Sequence, residues 1–391
     1  MFASIILFLF LTLSFGFVLS SFVRFRDGAS FIERGVIKLG IGLGAVVVLG
    51  VIFQILGIII DWKVFVSVGV VLDLGVVIWK RKTLLSFFKS WSFKLTKEDI
   101  FAIGAMAIFM LSLFMYTEGA FGYPYLENED PWTHAVGVSF IAHEKTLDDP
   151  ANYNIKFLDP YPPGFEMWLG ILHQIEPSIS FVLKFFNALF ISLGILFFYF
   201  MMRSLGVERR GALFSTFVLA ATPSFFTHFI WAHTLSIILM FVAIYCLEMM
   251  SHDRRWMAAS VIIVASIFLT HPDEGLKIAI MIGLYILVKS IYLQQVQFPA
   301  VMGLCGGFVV SLLWWATHAG SILSKHTGQI LSSGKYSVIQ AAQGTMLGMI
   351  QKYFPPNQGT ATRVYTFSDF FQAQPFGMIN MQVGWGVVIS I

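Results

Sequence analysis

The chain has 391 residues, 57% of them hydrophobic and 12% charged, with a mean hydropathy of +0.78 and a net charge of +3. Apolar runs of about 18 residues or more recur, each long enough to cross a ~30 Å hydrocarbon core as a helix; a soluble globular domain is excluded and an all-α polytopic membrane protein is expected. The two cysteines, Cys246 and Cys305, lie inside apolar runs, which excludes a disulfide-stapled external domain, and no nucleic-acid partner is expected.

From the N-terminus, spans are expected near 1–22, 36–60, 64–80, 100–117, 178–202, 210–229, 232–250, 255–271, 273–292, 298–318 and 377–391, about eleven transmembrane helices in all. The first run lacks a basic leader and a small-residue cleavage site, so it reads as a span and not as a removed signal peptide. Gly40, Gly42 and Gly44 in the second are small-residue packing, since a nucleotide loop has no place inside a span. The last run stops at Ile391, and a further C-terminal part is expected. Residues 1–99 would form a three-span accessory region and 100–391 the main module.

Basic residues give the orientation. Arg24, Arg26, Arg34 and Lys38 fall in one loop and Lys80, Arg81, Lys82, Lys89, Lys94 and Lys97 in the next on the same side. Arg203, Arg209 and Arg210, then Arg254 and Arg255, then Lys289 follow. Cytoplasmic loops carry such an excess. The N-terminus and the segments 118–177, 223–232, 271–274 and 319–376 are thereby expected on the external or lumenal face, where acids concentrate and cations are scarce. Loops of roughly 60 residues are uncommon in compact bundles unless functional, and two of them on one side can build one site.

In the segment 118–177, Glu127, Glu129 and Asp130 stand together before Pro131. Asp130-Pro131 has the form of a helix start, Asp as N-cap and Pro at the first helical position, and an apolar pattern through Trp132, Val136 and Phe140 carries the helix to about His143. Four residues apart, Asp130 and His134 would share a face. Asp148-Asp149 reads as exposed loop. Asp159-Pro160-Tyr161-Pro162-Pro163-Gly164 is a stiff extended turn that fixes Asp159 ahead of a helix over 165–174, expected along the membrane interface. Simpler roles stand beside these: Asp130 as a plain cap, Asp159 as a turn-former, and Asp273 and Glu274 as first-turn acids favoured by a helix dipole.

This layout resembles the GT-C glycosyltransferases, which include protein O-mannosyltransferases, aminoarabinose lipid A transferases and the catalytic subunit of oligosaccharyltransferase. Glu129-Asp130 match the family's acidic motif and Tyr161-Pro162-Pro163 its turn, within a layout covering about 100–391. The resemblance implies a multi-pass cell-membrane enzyme, active on the external or lumenal face. It would move a sugar from a polyprenyl-phosphate (dolichol-type) lipid, held between spans among membrane lipids, to a protein, lipid or glycan acceptor, inverting the anomeric centre. It implies Asp130, shared with Glu129, as the base, with Asp159 as a further catalytic carboxylate. Glu127, His134, Tyr161, His271 and Arg363 would bind substrate, with Arg363, His271 and Lys277 the candidates for the phosphate. Metal dependence stays open: either no ion is required, or Mg²⁺ or Mn²⁺ sits on Asp130 and Glu129, with Glu127 and Asp159 as further oxygen ligands. In the next external loop, where oligosaccharyltransferase carries a second acidic pair, TPSFFTHFIWAH offers His228 and His233 instead. En bloc oligosaccharide transfer is therefore the alternative within the family.

The sequence has no P-loop, HExxH, GxSxG or Cys/His metal spacing. A transporter would place ionisable groups near the membrane midplane, whereas these spans are almost free of charge, Asp73 and Glu248 being the main exceptions. A transporter and a non-catalytic scaffold for cell-surface polymer assembly stay as readings from other classes.

Overall fold

The structure, a computed structural model, describes residues 2–81, 97–127, 129–149, 161–222 and 230–333, together with Ile155, Leu158 and Phe225. Among these residues there are helices and no strand: α1 (Phe2–Ser20), α2 (Phe31–Ile55), α3 (Trp62–Trp79), α4 (Lys97–Phe121), α5 (Glu129–Glu144), α6 (Gly164–His173), α7 (Ile179–Ser204), α8 (Arg209–Ala221), α9 (His233–Met249), α10 (Trp256–Phe268), α11 (Pro272–Tyr292) and α12 (Phe298–Ser333). Met1–Ala319 forms one compact unit, and of a second, Gly320–Ile391, the described residues are the helical ones up to Ser333. The apolar run near 377–391 lies outside the described residues.

Helix starts follow side-chain chemistry. Ser30 accepts from the Glu33 amide at 3.0 Å and caps α2, Asp61 accepts from the Lys63 amide at 2.8 Å and caps α3, and Ser178 accepts from the Phe181 amide at 3.2 Å and caps α7. Each satisfies an amide that the first helical turn leaves without a partner.

Among the described residues, seven helices are long and apolar enough to cross a membrane: α1, α2, α3, α4, α7, α11 and the part of α12 up to His318. The chain is a helical membrane protein. α2 and α7 are buried over most of their length, while α3, α4, α11 and α12 leave large apolar side chains such as Val71, Phe114, Leu284 and Val309 exposed, as expected of surfaces solvated by lipid. α9 and α10 are apolar but shorter.

Three expected elements differ. The span near 210–229 is a shorter helix ending at Ala221, because Thr222 takes an extended geometry (φ −81°, ψ 113°) of the kind that a following proline imposes. α12 runs to Ser333, into a stretch expected as loop; no proline stands between Pro299 and Pro355 to stop it. The helix over 165–174 is not an interface helix: α6 is buried at every residue from Gly164 to Leu172, and the Trp168 indole donates to the Leu43 carbonyl at 2.9 Å inside the bundle. Apart from Glu166, its residues from Gly164 to Leu172 are apolar, and a helix of that kind buries itself.

The connecting segments sort into two ends. At one, the Arg24 amide donates to Asp253 at 2.9 Å, the Trp256 indole to the Arg24 carbonyl at 2.8 Å and the Arg26 guanidinium to the Arg203 carbonyl at 3.1 Å. The basic loops thus meet, as an alternating path through a bilayer requires. At the other end meet the turn after α2, the described parts of the segment between α4 and α7, the start of α9 and the α10–α11 turn.

Candidate functional site

α5 opens the site. The helix begins at Glu129, so Asp130 and Pro131 lie within its first turn and Asp130 is not its N-cap; both acids stand where the helix dipole favours negative charge. Glu129 is exposed and Asp130 half-buried. The helix ends as Lys145 enters the left-handed region (φ 57°), its amide on the Ile141 carbonyl at 3.0 Å and its ammonium on Asp61 at 2.6 Å. Burial raises the Asp61 carboxyl, but the Lys145 hydrogen bond, the Lys63 amide and the two lysine charges outweigh it and hold the group below its usual range.

Glu127, exposed just before the helix, lines a small cavity with Pro131, Tyr116, Asn187, Ile230 and Lys184. Lys184 is buried, and its ammonium donates to the Tyr123 carbonyl. It is a cation in the same lining as Glu127 that sequence reasoning missed, being one charge in the otherwise apolar first turns of α7.

His134 does not turn toward solvent with the acids. It is buried, and its Nδ1–H donates to Glu166 Oε1 at 2.5 Å, with both side chains almost sealed from water. Glu166 reaches it because position 137, one turn along α5, is glycine: a β-carbon there would stand 3.1 Å from Glu166 Cγ. Phe165 covers the imidazole edge-on, ring centroids 5.3 Å apart.

The proline turn brings the next pair together. The Gly164 amide donates to the Leu269 carbonyl at 2.9 Å, and a β-carbon at Gly164 would lie 2.6 Å from that same oxygen, so only glycine allows the approach. The contact sets Tyr161 beside the α10–α11 turn, where its hydroxyl meets His271 Nε2 at 3.0 Å. His271 is the N-cap of α11, and its Nδ1 accepts from the Glu274 amide at 3.3 Å. Burial, then the neighbouring His233, push its pKa down to about 3, so the ring is neutral in the physiological range. With Nδ1 accepting, the proton sits on Nε2 and is donated to Tyr161, whose own hydroxyl proton then points to a further acceptor.

A polar chain continues from His271. The His233 ring lies against it with centroids 3.8 Å apart, His233 Nε2 is 3.5 Å from Glu274, and Lys277 binds the same Glu274 oxygen at 2.5 Å. His134 is near enough for its charge to act on both His233 and His271. On the other side of His233 a pocket of about 380 Å³ opens, lined by Trp231, Thr234, Glu274 and Lys277 with Phe225 and Ile191.

Of the residues singled out in the sequence, then, Tyr161 and His271 are joined directly, His134 stands beside them, and Glu127, Glu129 and Asp130 gather at the start of α5. Asp159, His228 and Arg363 lie outside the described residues. No group of three or more His, Cys, Asp or Glu among the described residues is arranged to hold a metal ion. Asp148 is exposed, with its carboxyl facing His318 at 3.5 Å; the hydrogen bond to that ring, more than any other influence, holds it below its usual range. Glu166 and Lys184 were the unforeseen members, each a single charge in an apolar stretch of helix, while Glu274, read in the sequence as a first-turn acid, joins the site beside His233. No protein-family model, no curated protein and no solved structure matches the chain.

Proposed function

We propose that this chain is a membrane glycosyltransferase of the GT-C kind, moving a sugar from a polyprenyl-phosphate lipid to an acceptor on the external or lumenal face, with inversion. The observation that carries this reading is convergence: the acidic start of α5, the Tyr161–His271 pair and the 380 Å³ pocket belong to three separate connecting segments and gather at one end of an apolar bundle. A transferase needs a carboxylate in reach of an acceptor hydroxyl, oriented hydrogen-bond donors for the leaving phosphate, and an apolar route for the lipid. Asp130 takes the first role, with Glu129 beside it and Asp159 as a further carboxylate. Tyr161, primed by His271, supplies a donor, and Lys184 and Arg363 supply charge. Metal use stays open within this reading, with Asp130 and Glu129 as the ligands if an ion binds.

The test supplies polyprenyl-phosphate sugars to the purified protein and compares it with Asp130→Asn. Loss of transfer by about 10²–10⁴ is expected for removal of a positioned base; equal transfer by the two would take Asp130 out of catalysis. A second reading, a transporter, is favoured by the buried His134–Glu166 pair, since ionisable groups inside a bundle mark translocation paths. Solute uptake into proteoliposomes without transfer of sugar from any polyprenyl-phosphate donor would select it.

A further inference from the structure

We infer that the 380 Å³ pocket between α7, α9 and α11 binds a neutral polyhydroxylated ring, a hexose or pentose unit, and not the phosphate. The inference deepens the transferase reading and rests on it for the sugar's onward fate, but the pocket itself is argued from its walls.

The volume lies within the range of small-ligand sites and exceeds what a phosphate alone would fill. Trp231 and Phe225 supply aromatic surface for the apolar C–H face of a sugar ring. The same lining carries Thr234, His233, Glu274 and Lys277, a hydroxyl, an imidazole, a carboxylate and an ammonium, which offer donors and acceptors to ring hydroxyls. The charge balance decides between ligand classes. Lys277 is the pocket's cation, and it is matched at 2.5 Å by Glu274, which His233 also faces at 3.5 Å. An anion entering here would meet a carboxylate and an ammonium already compensated, whereas a neutral polyol exchanges hydrogen bonds with both at no cost in charge. Lys277, a phosphate candidate on sequence grounds, is thereby reassigned to the sugar. The pocket also adjoins the site: His233 lines it and packs against His271, which holds Tyr161.

The experiment uses the full chain in lipid nanodiscs and saturation-transfer difference NMR with methyl glycosides of neutral hexoses and pentoses, with inorganic phosphate as competitor. Binding with Kd on the order of 1 mM is expected for ligands this small, undiminished by equimolar phosphate. Trp231→Ala should weaken it at least tenfold by removing the aromatic wall, and Glu274→Gln, which preserves volume, severalfold. Absence of any glycoside signal, displacement by phosphate, or binding unchanged in both variants would each overturn the assignment. The two proposals fail separately. Glycoside binding sensitive to Trp231→Ala without transfer from any lipid donor removes the transferase and leaves the pocket. Transfer with unchanged kcat/KM in Trp231→Ala and Glu274→Gln removes the pocket and leaves the transferase.

Discussion

The two ends of the bundle use similar side chains to opposite effect. At the basic end, charges are paired in complementary geometry and join helix termini: Arg26 grips Glu33 through two nitrogens at 3.1 and 3.2 Å, Glu98 takes Arg203 at 2.9 Å and Arg209 at 2.7 Å, and Glu248 takes Lys289. Several of these groups border solvent, and a pair there is worth little individually. At the histidine end, imidazoles replace guanidinium groups, and the cluster borders a cavity of about 380 Å³, against about 70 Å³ beside Glu248 and Lys289 at the basic end. A charge cluster therefore signals a site when its members converge from separate segments on a cavity, with their protonation set by burial. When they tie neighbouring helix ends, they are structural.

This contrast can be broken at its strongest point by Glu166→Ala. Removing one partner of the buried pair takes away the carboxylate 2.5 Å from His134 Nδ1, and a stability loss of about 3 kcal/mol is expected, read as a shift in the denaturation midpoint in detergent. Glu166→Gln, which keeps an acceptor oxygen, should recover much of it. A loss under about 1 kcal/mol for the alanine variant would place the pair with the exposed ones of the basic end. Next in size, Gly137→Ala sets a methyl 3.1 Å from Glu166 Cγ and should cost about 1–2 kcal/mol by overpacking. If the variant is as stable as the parent, α5 and α6 are not locked at this crossing.

Much of the frame was legible in the sequence because it follows from local rules. Hydropathy placed α7, α9 and α11 within one or two residues, Asp130-Pro131 announced α5 to within two residues, and Pro162-Pro163-Gly164 announced α6. The basic loops foretold which segments would meet. The site was legible only in part. Tyr161 and His271 were each suspected, but nothing local joins residues 110 apart in the chain; the junction rests on the Gly164 amide reaching the Leu269 carbonyl. Glu166 stayed hidden for a physical reason, since one carboxylate in an apolar helix suggests a surface position. A buried partner 32 residues earlier cancels that preference. Lys184 was hidden in the same way, its partner being a backbone carbonyl that has no signature in sequence.

His271 sharpens the comparison through pH. Its folded pKa, about 3, lies below the ordinary value near 6.5, so the unfolded chain takes up a proton first as the pH falls. Its contribution is complete above pH 6.5 and declines by up to about 1.4 kcal/mol per pH unit between 6.5 and 3. The titratable and charged groups that face it are His233, His134, Asp273 and Lys277, with Glu274 beside His233. ¹⁵N NMR of the imidazoles separates them: His271 should remain neutral at pH 5 with the proton on Nε2. A ring that titrates near 6.5, or carries its proton on Nδ1, would undo the orientation of Tyr161.

The smallest effect belongs to the basic end. Arg209 meets Glu98 at 2.7 Å, but its side chain is 39% exposed and Arg203 already holds the same oxygen at 2.9 Å. Arg209→Ala should therefore cost less than about 1 kcal/mol, fading further in high salt, and should leave sugar transfer untouched. Because Arg203 remains, Glu98 stays paired and the ends of α4 and α7 stay joined. A loss of several kcal/mol instead would mean that the two arginines act as one network around a desolvated Glu98. The basic end would then rest on a polar core of the same kind as His134 with Glu166, and the distinction between a tie and a site would lie in the cavity alone.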